Sequence, residues 1–265
     1  MIESLLLAVT RVSTMLGQKQ LTNATGFFFE REERLYLITN RHVVHDEAGE
    51  HFPDRLEIEL HVDATNIGNT VQFSIPLYRD GKSLWHEGLD SAGAIDVVAI
   101  QLERKALPGK MLFRAFSPAH LVERLDRVEL GTSVLVVGFP LGVHDTLHRL
   151  PVARQSVIAS SFGIRFQGKG YFLTDARLHR GMSGAPVVAR EAAARAGRAE
   201  LSWLLLGVHA TRLDVTNRDA SIDESLDLNF AWYADILMTL TQKEAAAPAP
   251  QVLAAAPGAR PGPPD

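Results

Sequence analysis

Apolar residues fall along this chain in short runs separated by charged or turn-forming residues, with little helical spacing. "TGFFFE" and "RLYLITN" flank the charged "REER", a pattern that predicts a β-hairpin. "RLEIELHV", "VQFSIPLY", "IDVVAIQL", "SVLVVGFP", "GYFLTDA", "APVVAR" and "SWLLLGVHA" follow, many rich in Val, Ile and aromatic residues and most bounded by Gly, Pro, Asp or Asn. Strands this numerous, with few long helical periods between them, predict an antiparallel barrel or sandwich rather than βαβ units. The helical period is convincing only at "YADILMTLTQKE", which predicts a last helix over about 235–243 with Asp235 as its cap. "REAAARAGRAE" fits a helix or a charged Ala-rich loop equally well.

From about Glu244 the pattern stops. The remaining 244–265 are nearly all Ala, Pro and Gly, without an aromatic residue, and read as a disordered tail. The other residues show no fixed-period repeat and suffice for one large domain or two small ones. A formal net charge of −4 argues against a nucleic-acid surface, and the absence of cysteine excludes disulfides and thiolate metal sites. Glu3 stands where a signal peptide would carry a basic residue, and no run approaches the roughly 20 apolar residues needed to span a bilayer. The expectation is a soluble, cytoplasmic protein with no membrane partner.

Chemistry enters at "LHRGMSGAPVV", where Ser183 stands between Gly181 and Gly184. Acyl transfer needs backbone N–H groups aimed at the oxygen that becomes negative, with no side chain in the way. The amides of Gly181 and Ser183 are candidates for such a pocket. By itself the motif is also an ordinary turn before a strand. A nucleophilic hydroxyl further needs a base and a group that orients the base. "YLITNRHVV" offers His42 after an apolar strand, and "AIDVVAIQL" offers Asp96 at the head of another. Each alone reads as structural; together, at strand edges and in the order His, Asp, Ser, they favour catalysis.

Six blocks, "TGFFFE…LYLITNRHVV", "DVVAIQL", "VGFPLG", "YFLTDARLHRGMSGAPVV", "LLGVHA" and "LNFAWYADIL", resemble in sequence order those of the trypsin-like serine peptidases, nearest the bacterial HtrA-like and glutamyl-endopeptidase-like branches. The resemblance runs from about Ala24 to Leu240. It implies an all-β fold of two six-stranded antiparallel β-barrels, over about 20–110 and 125–232, with the active site between them and a C-terminal helix. It implies His42 as general base, Asp96 as the residue that holds the ring, Ser183 as nucleophile, and the Gly181 and Ser183 amides as oxyanion hole. Asp175, in the "TDA" segment, would be a structural support. Met182 and Ala185 depart from the Asn and Gly usual in HtrA proteins, though neither change removes a catalytic group. No PDZ-like segment is expected, and no buried new N-terminus is visible to organise the oxyanion loop.

The resemblance also implies a specificity pocket on the strand "LLLGVHATR". His209 stands where glutamyl endopeptidases and 3C-type proteases carry histidine, and an imidazole there donates to a Glu carboxylate or Gln amide. Arg177 would add positive charge near the pocket floor. The alternative is a pocket bordered by Leu178 and Ala210 that takes small apolar residues. An α/β-hydrolase reading fails, because no aspartate lies between Ser183 and the following histidine. A metal site at His42 and His45, or at His144 and His148, is weakly supported, since the latter pair lacks the Glu of the helical zinc motif. The partner is therefore a protein or peptide substrate, with no cofactor or metal. The rival of another class is a protease-fold binding or scaffold module, inert until an activating protein partner engages it.

Overall fold

The computed structural model describes residues 2–90, 93–190, 200–213 and 226–242. The predicted hairpin is formed by β2 (Lys19–Arg31) and β3 (Arg34–Thr39). Its two turn residues, Glu32 and Glu33, both have positive φ (50° and 64°), as a two-residue hairpin turn that follows the strand twist requires. With β1 (Val9–Leu16), β4 (Arg55–His61), β5 (Thr70–Pro76), β6 (Trp85–His86) and β7 (Val98–Leu102), they form one sheet in the order β5-β4-β1-β2-β3-β7-β6. The second half is a closed barrel in the order β8-β9-β10-β13-β12-β11. Its strands are β8 (Ser133–Gly138), β9 (Val152–Ile158), β10 (Tyr171–Asp175), β11 (Pro186–Arg190), β12 (Trp203–Arg212) and β13 (Leu228–Tyr233).

The expectation of two six-stranded barrels is thus met in one half. Among the described residues the N-terminal half is a seven-stranded sheet whose edges do not pair. The reason lies in the edge strands: β6 has only two residues and pairs with β7 alone, while β5 is largely exposed beyond β4. A ladder that short leaves nothing to close against.

Three apolar clusters explain why the strands read as runs rather than as clean alternation. Leu35 and Leu37 of β3, with Val98 and Ile100 of β7, fill the interior of the N-terminal sheet beside Val12, Leu56 and Ile58. The intervening Tyr36, Ile38 and Ala99 point the other way, into a shared core with Val137, Phe139, Val188 and Leu205 of the second half. A third cluster, including Val134, Phe172, Val187 and Ala231, fills the closed barrel. A strand buried on both faces has no polar face to show. The two halves are therefore welded through strands whose ends carry the site.

The last helix, α2 (Ile236–Leu240), is shorter than expected. Asp235 occupies its N-cap position, but its carboxylate pairs with Arg165 at 3.2 Å rather than capping the helix. Arg31 of β2 donates to the Met238 carbonyl (2.6 Å) and so fastens this helix to the N-terminal sheet. The Ala-rich segment 191–199 and the tail 244–265 lie outside the described residues. Among the described residues, no helix is long and apolar enough to cross a membrane.

Candidate active site

Strand β3 ends at Thr39, and the chain turns through a single helical turn, α1 (Arg41–Val44). Val43 and Val44 anchor this turn in the N-terminal core and leave His42 half-buried at its edge. Asp96 lies two residues ahead of β7, the neighbour of β3, so strand pairing brings the two side chains together. His42 Nδ1 and Asp96 Oδ2 are 2.8 Å apart, and Asp96 Oδ1 accepts the His42 backbone N–H at 2.9 Å. The carboxylate therefore holds both the ring and the backbone of one residue. Burial lowers the His42 pKa, but the hydrogen bond and charge of Asp96, helped by Asp46, outweigh it, and the net shift is upward from 6.5.

Asn40, fully buried, donates from Nδ2 to the Asp96 carbonyl (2.6 Å) and fixes the segment that carries the carboxylate. Its side chain does not cap α1.

The loop before β11 is built on two glycines. Residues 179–182 form a turn closed by Met182 N–H on the His179 carbonyl (3.2 Å), with Gly181 at φ +91°, a value that suits glycine at the third position of a type II turn. A Cβ on Gly181 would come within 2.3 Å of the Phe139 carbonyl. Gly184, at φ +84°, packs against the N-terminal half so closely that a Cβ would meet the Thr25 carbonyl at 2.2 Å and Thr39 Cα at 3.0 Å. Ser183 is thereby pressed against the segment that leads into His42. The Arg180 carbonyl accepts from Leu141 N–H at 2.6 Å, so the planar trans peptide points the Gly181 N–H away from Leu141. Among the described residues, neither the Gly181 nor the Ser183 N–H donates to another group.

The Ser183 hydroxyl donates to the Ala210 carbonyl on β12 (3.2 Å) and not to His42. His209, next in the strand, is fully buried, and its Nδ1 meets no partner among the described residues. Burial, reinforced by the nearby His42, lowers its pKa to about 3, so it is neutral at ordinary pH. Leu178, Ser183, His209 and Ala210 line one cavity of about 190 Å³.

Arg177 does not line that cavity. It follows the end of β10 on the exposed rim, where its carbonyl accepts from Arg154 of β9, and the cavity carries Arg180 and Arg212 instead. The Asp175 side chain is exposed at the end of β10, and its carbonyl accepts from the Ser156 hydroxyl at 3.0 Å. Of the paired histidines considered for metal, His45 faces Glu47 and Tyr78, His144 binds the Gly142 carbonyl, and His148 faces Asp145.

Thr25 and Thr39 carried no chemical signal in the sequence, yet both build the site. Thr25 N–H donates to the Ser183 carbonyl (2.9 Å), and its hydroxyl donates to the Gly181 carbonyl while accepting the Phe139 N–H. The Thr39 hydroxyl donates to the Thr25 carbonyl (2.9 Å). Only the block "TGFFFE…LYLITNRHVV" marked the place.

Two β-structured halves with a paired histidine and aspartate on one, and a glycine-framed serine on the other, define a chymotrypsin-like fold. The family model for the trypsin-like peptidase domain matches residues 24–194, and the chain belongs to that family. Among solved structures, the HtrA-type protease AlgW with tripeptide is 18% identical, covering 88% of this chain and 58% of that one, with a TM-score of 0.52. The serine endoprotease from Yersinia pestis is 16% identical, covering 88% of this chain and 61% of that one, with a TM-score of 0.48. The chain thus spans about three fifths of those structures, and the likeness to AlgW speaks for the fold alone. No curated protein matches it.

Proposed function

We propose that the chain is a serine endopeptidase in which Ser183 attacks the peptide carbonyl, His42 carries the proton and Asp96 orients His42. The observation that carries this reading is the double grip of Asp96 on His42, which leaves Nε2 as the free ring nitrogen. In this reading the Ser183 hydroxyl leaves Ala210 for that nitrogen, since catalytic hydrogen bonds commonly tighten only when substrate binds. As Oγ bonds to the carbonyl carbon, its proton passes to Nε2 and the oxygen becomes negative, facing the Gly181 and Ser183 N–H groups. The imidazolium then protonates the departing amine. Water, deprotonated by the same ring, releases the acyl group.

The cavity beside Ser183 suits a Glu or Gln side chain before the scissile bond. His209 lines this cavity, and a ring N–H facing it is satisfied by a carboxylate or amide oxygen where an apolar side chain would leave it unpaired. Leu178 and Ala210 supply the apolar walls.

A second reading is favoured by the Ser183–Ala210 hydrogen bond: a latent form, in which an activating partner turns the hydroxyl toward His42. A fluorophosphonate probe separates the two. The competent enzyme labels alone, and Ser183→Ala abolishes labelling without changing the circular dichroism. Labelling only in the presence of a partner protein supports latency, and equal labelling of the Ser183→Ala variant overturns the assignment. In a peptide library, cleavage without enrichment of Glu or Gln rejects the proposed preference.

A further inference from the structure

We propose that the turn over residues 139–142, through the Leu141 N–H, holds the Arg180–Gly181 peptide in its oxyanion-binding orientation, which makes Leu141 a positioning residue. This rests on the endopeptidase reading above and deepens it, since that reading needs the Gly181 N–H to face the substrate and leaves open what keeps it there.

The first observation is how little else holds that peptide. Gly181 has no side chain to resist rotation, and a peptide next to glycine turns over readily. If it turned, the Arg180 carbonyl would enter the pocket in place of the Gly181 N–H, because the two point in opposite directions across one planar trans peptide. Among the described residues the Arg180 carbonyl accepts one hydrogen bond, from Leu141 N–H at 2.6 Å. Thr25 grips the next carbonyl along, that of Gly181, and leaves this one alone. Met182, which ends the 179–182 turn, is fully buried in the core of the closed barrel and brings no polar side chain to the task.

The second observation is backbone strain in the donor. Leu141 is the third residue of a turn closed by Gly142 N–H on the Phe139 carbonyl (3.0 Å), and it stands at φ +52° and ψ +23°. Positive φ at that place suits glycine or asparagine, and a larger L-residue adopts it at a cost. Packing does not offset that cost, because the Leu141 side chain is 68% exposed. What the conformation does accomplish is the aim of the N–H. Phe139 and Pro140, both buried, anchor the start of the turn. The two turns lie so close that a Cβ on Gly181 would stand 2.3 Å from the Phe139 carbonyl oxygen and 3.2 Å from the Leu141 nitrogen. Strain that packing does not explain, at a contact with a functional peptide, marks a positioning element.

The test compares wild type with Leu141→Asn and Leu141→Ile. Asparagine tolerates the left-handed region, whereas a β-branched residue is strained most there. On a peptide that the wild type cleaves, kcat is expected to rise in the order Ile, Leu, Asn, spanning about tenfold, with KM little changed. The Ki of a matching peptide aldehyde, whose hemiacetal oxygen takes the place of the oxyanion, should change by the same factors in the opposite sense. A merely structural effect lowers the fraction of competent molecules, which cuts kcat and leaves Ki unmoved. Equal kcat in the three proteins, or an unmoved Ki, overturns the proposal. Amide hydrogen exchange gives a readout without catalysis: the residue 141 N–H should be protected in wild type and exchange several-fold faster in Leu141→Ile. A wild-type Leu141 N–H that exchanges as freely as an unbonded surface amide overturns the proposal whether or not peptides are cleaved. Protection in the expected pattern, with no cleavage of any peptide, upholds the grip on the Arg180–Gly181 peptide and counts against the endopeptidase reading instead.

Discussion

The Thr25 hydroxyl donates to the Gly181 carbonyl at 2.7 Å, joining residues 156 positions apart and tying the N-terminal sheet to the turn that precedes Ser183. Together with the Thr25 N–H on the Ser183 carbonyl, it holds the two peptides that flank the one carrying the Ser183 N–H of the proposed oxyanion pocket. Thr25→Val keeps the shape and removes the hydroxyl, leaving a buried carbonyl and the Phe139 N–H short of a partner at a cost of about 1–3 kcal/mol. If the N–H groups of that turn bind the oxyanion, kcat should fall by about ten- to a hundredfold with KM little changed. Thr25→Ser should restore most of it. Steady-state kinetics on the two variants check this, and an equal loss in both would mean that packing, not the hydroxyl, matters.

The grip of Asp96 on His42 makes activity depend on pH in a definite direction. The neutral imidazole is the base, and its pKa is raised, so kcat/KM should climb with pH through a value above 6.5. Asp96→Asn removes the larger raising influences and leaves burial opposed by Asp46 alone, which shifts that limb to lower pH, while turnover drops by on the order of 10⁴-fold. Rate profiles of the two proteins across pH check both the direction and the loss.

The same pair has a signature in stability. A group whose pKa is higher folded than unfolded stabilises the fold fully below its unfolded value, and the contribution is lost as pH rises through the folded value. Denaturant titrations should therefore show Asp96→Asn costing more stability at about pH 5.5 than at about pH 9.

Gly184 is a site where backbone geometry decides. Gly184→Ala forces a Cβ into the Thr25 carbonyl at positive φ, and should cost about 3 kcal/mol or more. Gly131, also at positive φ (80°), has open space within 4 Å of where a Cβ would stand, so Gly131→Ala should cost only about 1 kcal/mol. Thermal denaturation of the two variants gives the comparison.

Much of this was legible in the chain. The strand runs, the hairpin at 31–34 and the chemical character of His42, Asp96 and Ser183 follow from local pattern, because strand period and the chemistry of a side chain are properties of short segments. The six ordered blocks extended that to the fold, through likeness rather than physics.

Other features were beyond local reading. Whether the N-terminal sheet closes depends on how far β5 and β6 reach, which no residue announces. Thr25, Thr39 and Asn40 look like ordinary polar residues in "TGFFFE" and "LITN", and become parts of the site only because the two halves bury a common core between them. Arg177 and Arg180 are three positions apart in one loop; likeness pointed to the first, whereas the second borders the cavity. Sequence by itself determined which chemical groups and which strands were available. Only the tertiary structure decided which of them meet, because hydrogen bonds, packing and charge act over a few ångströms whatever the separation along the chain.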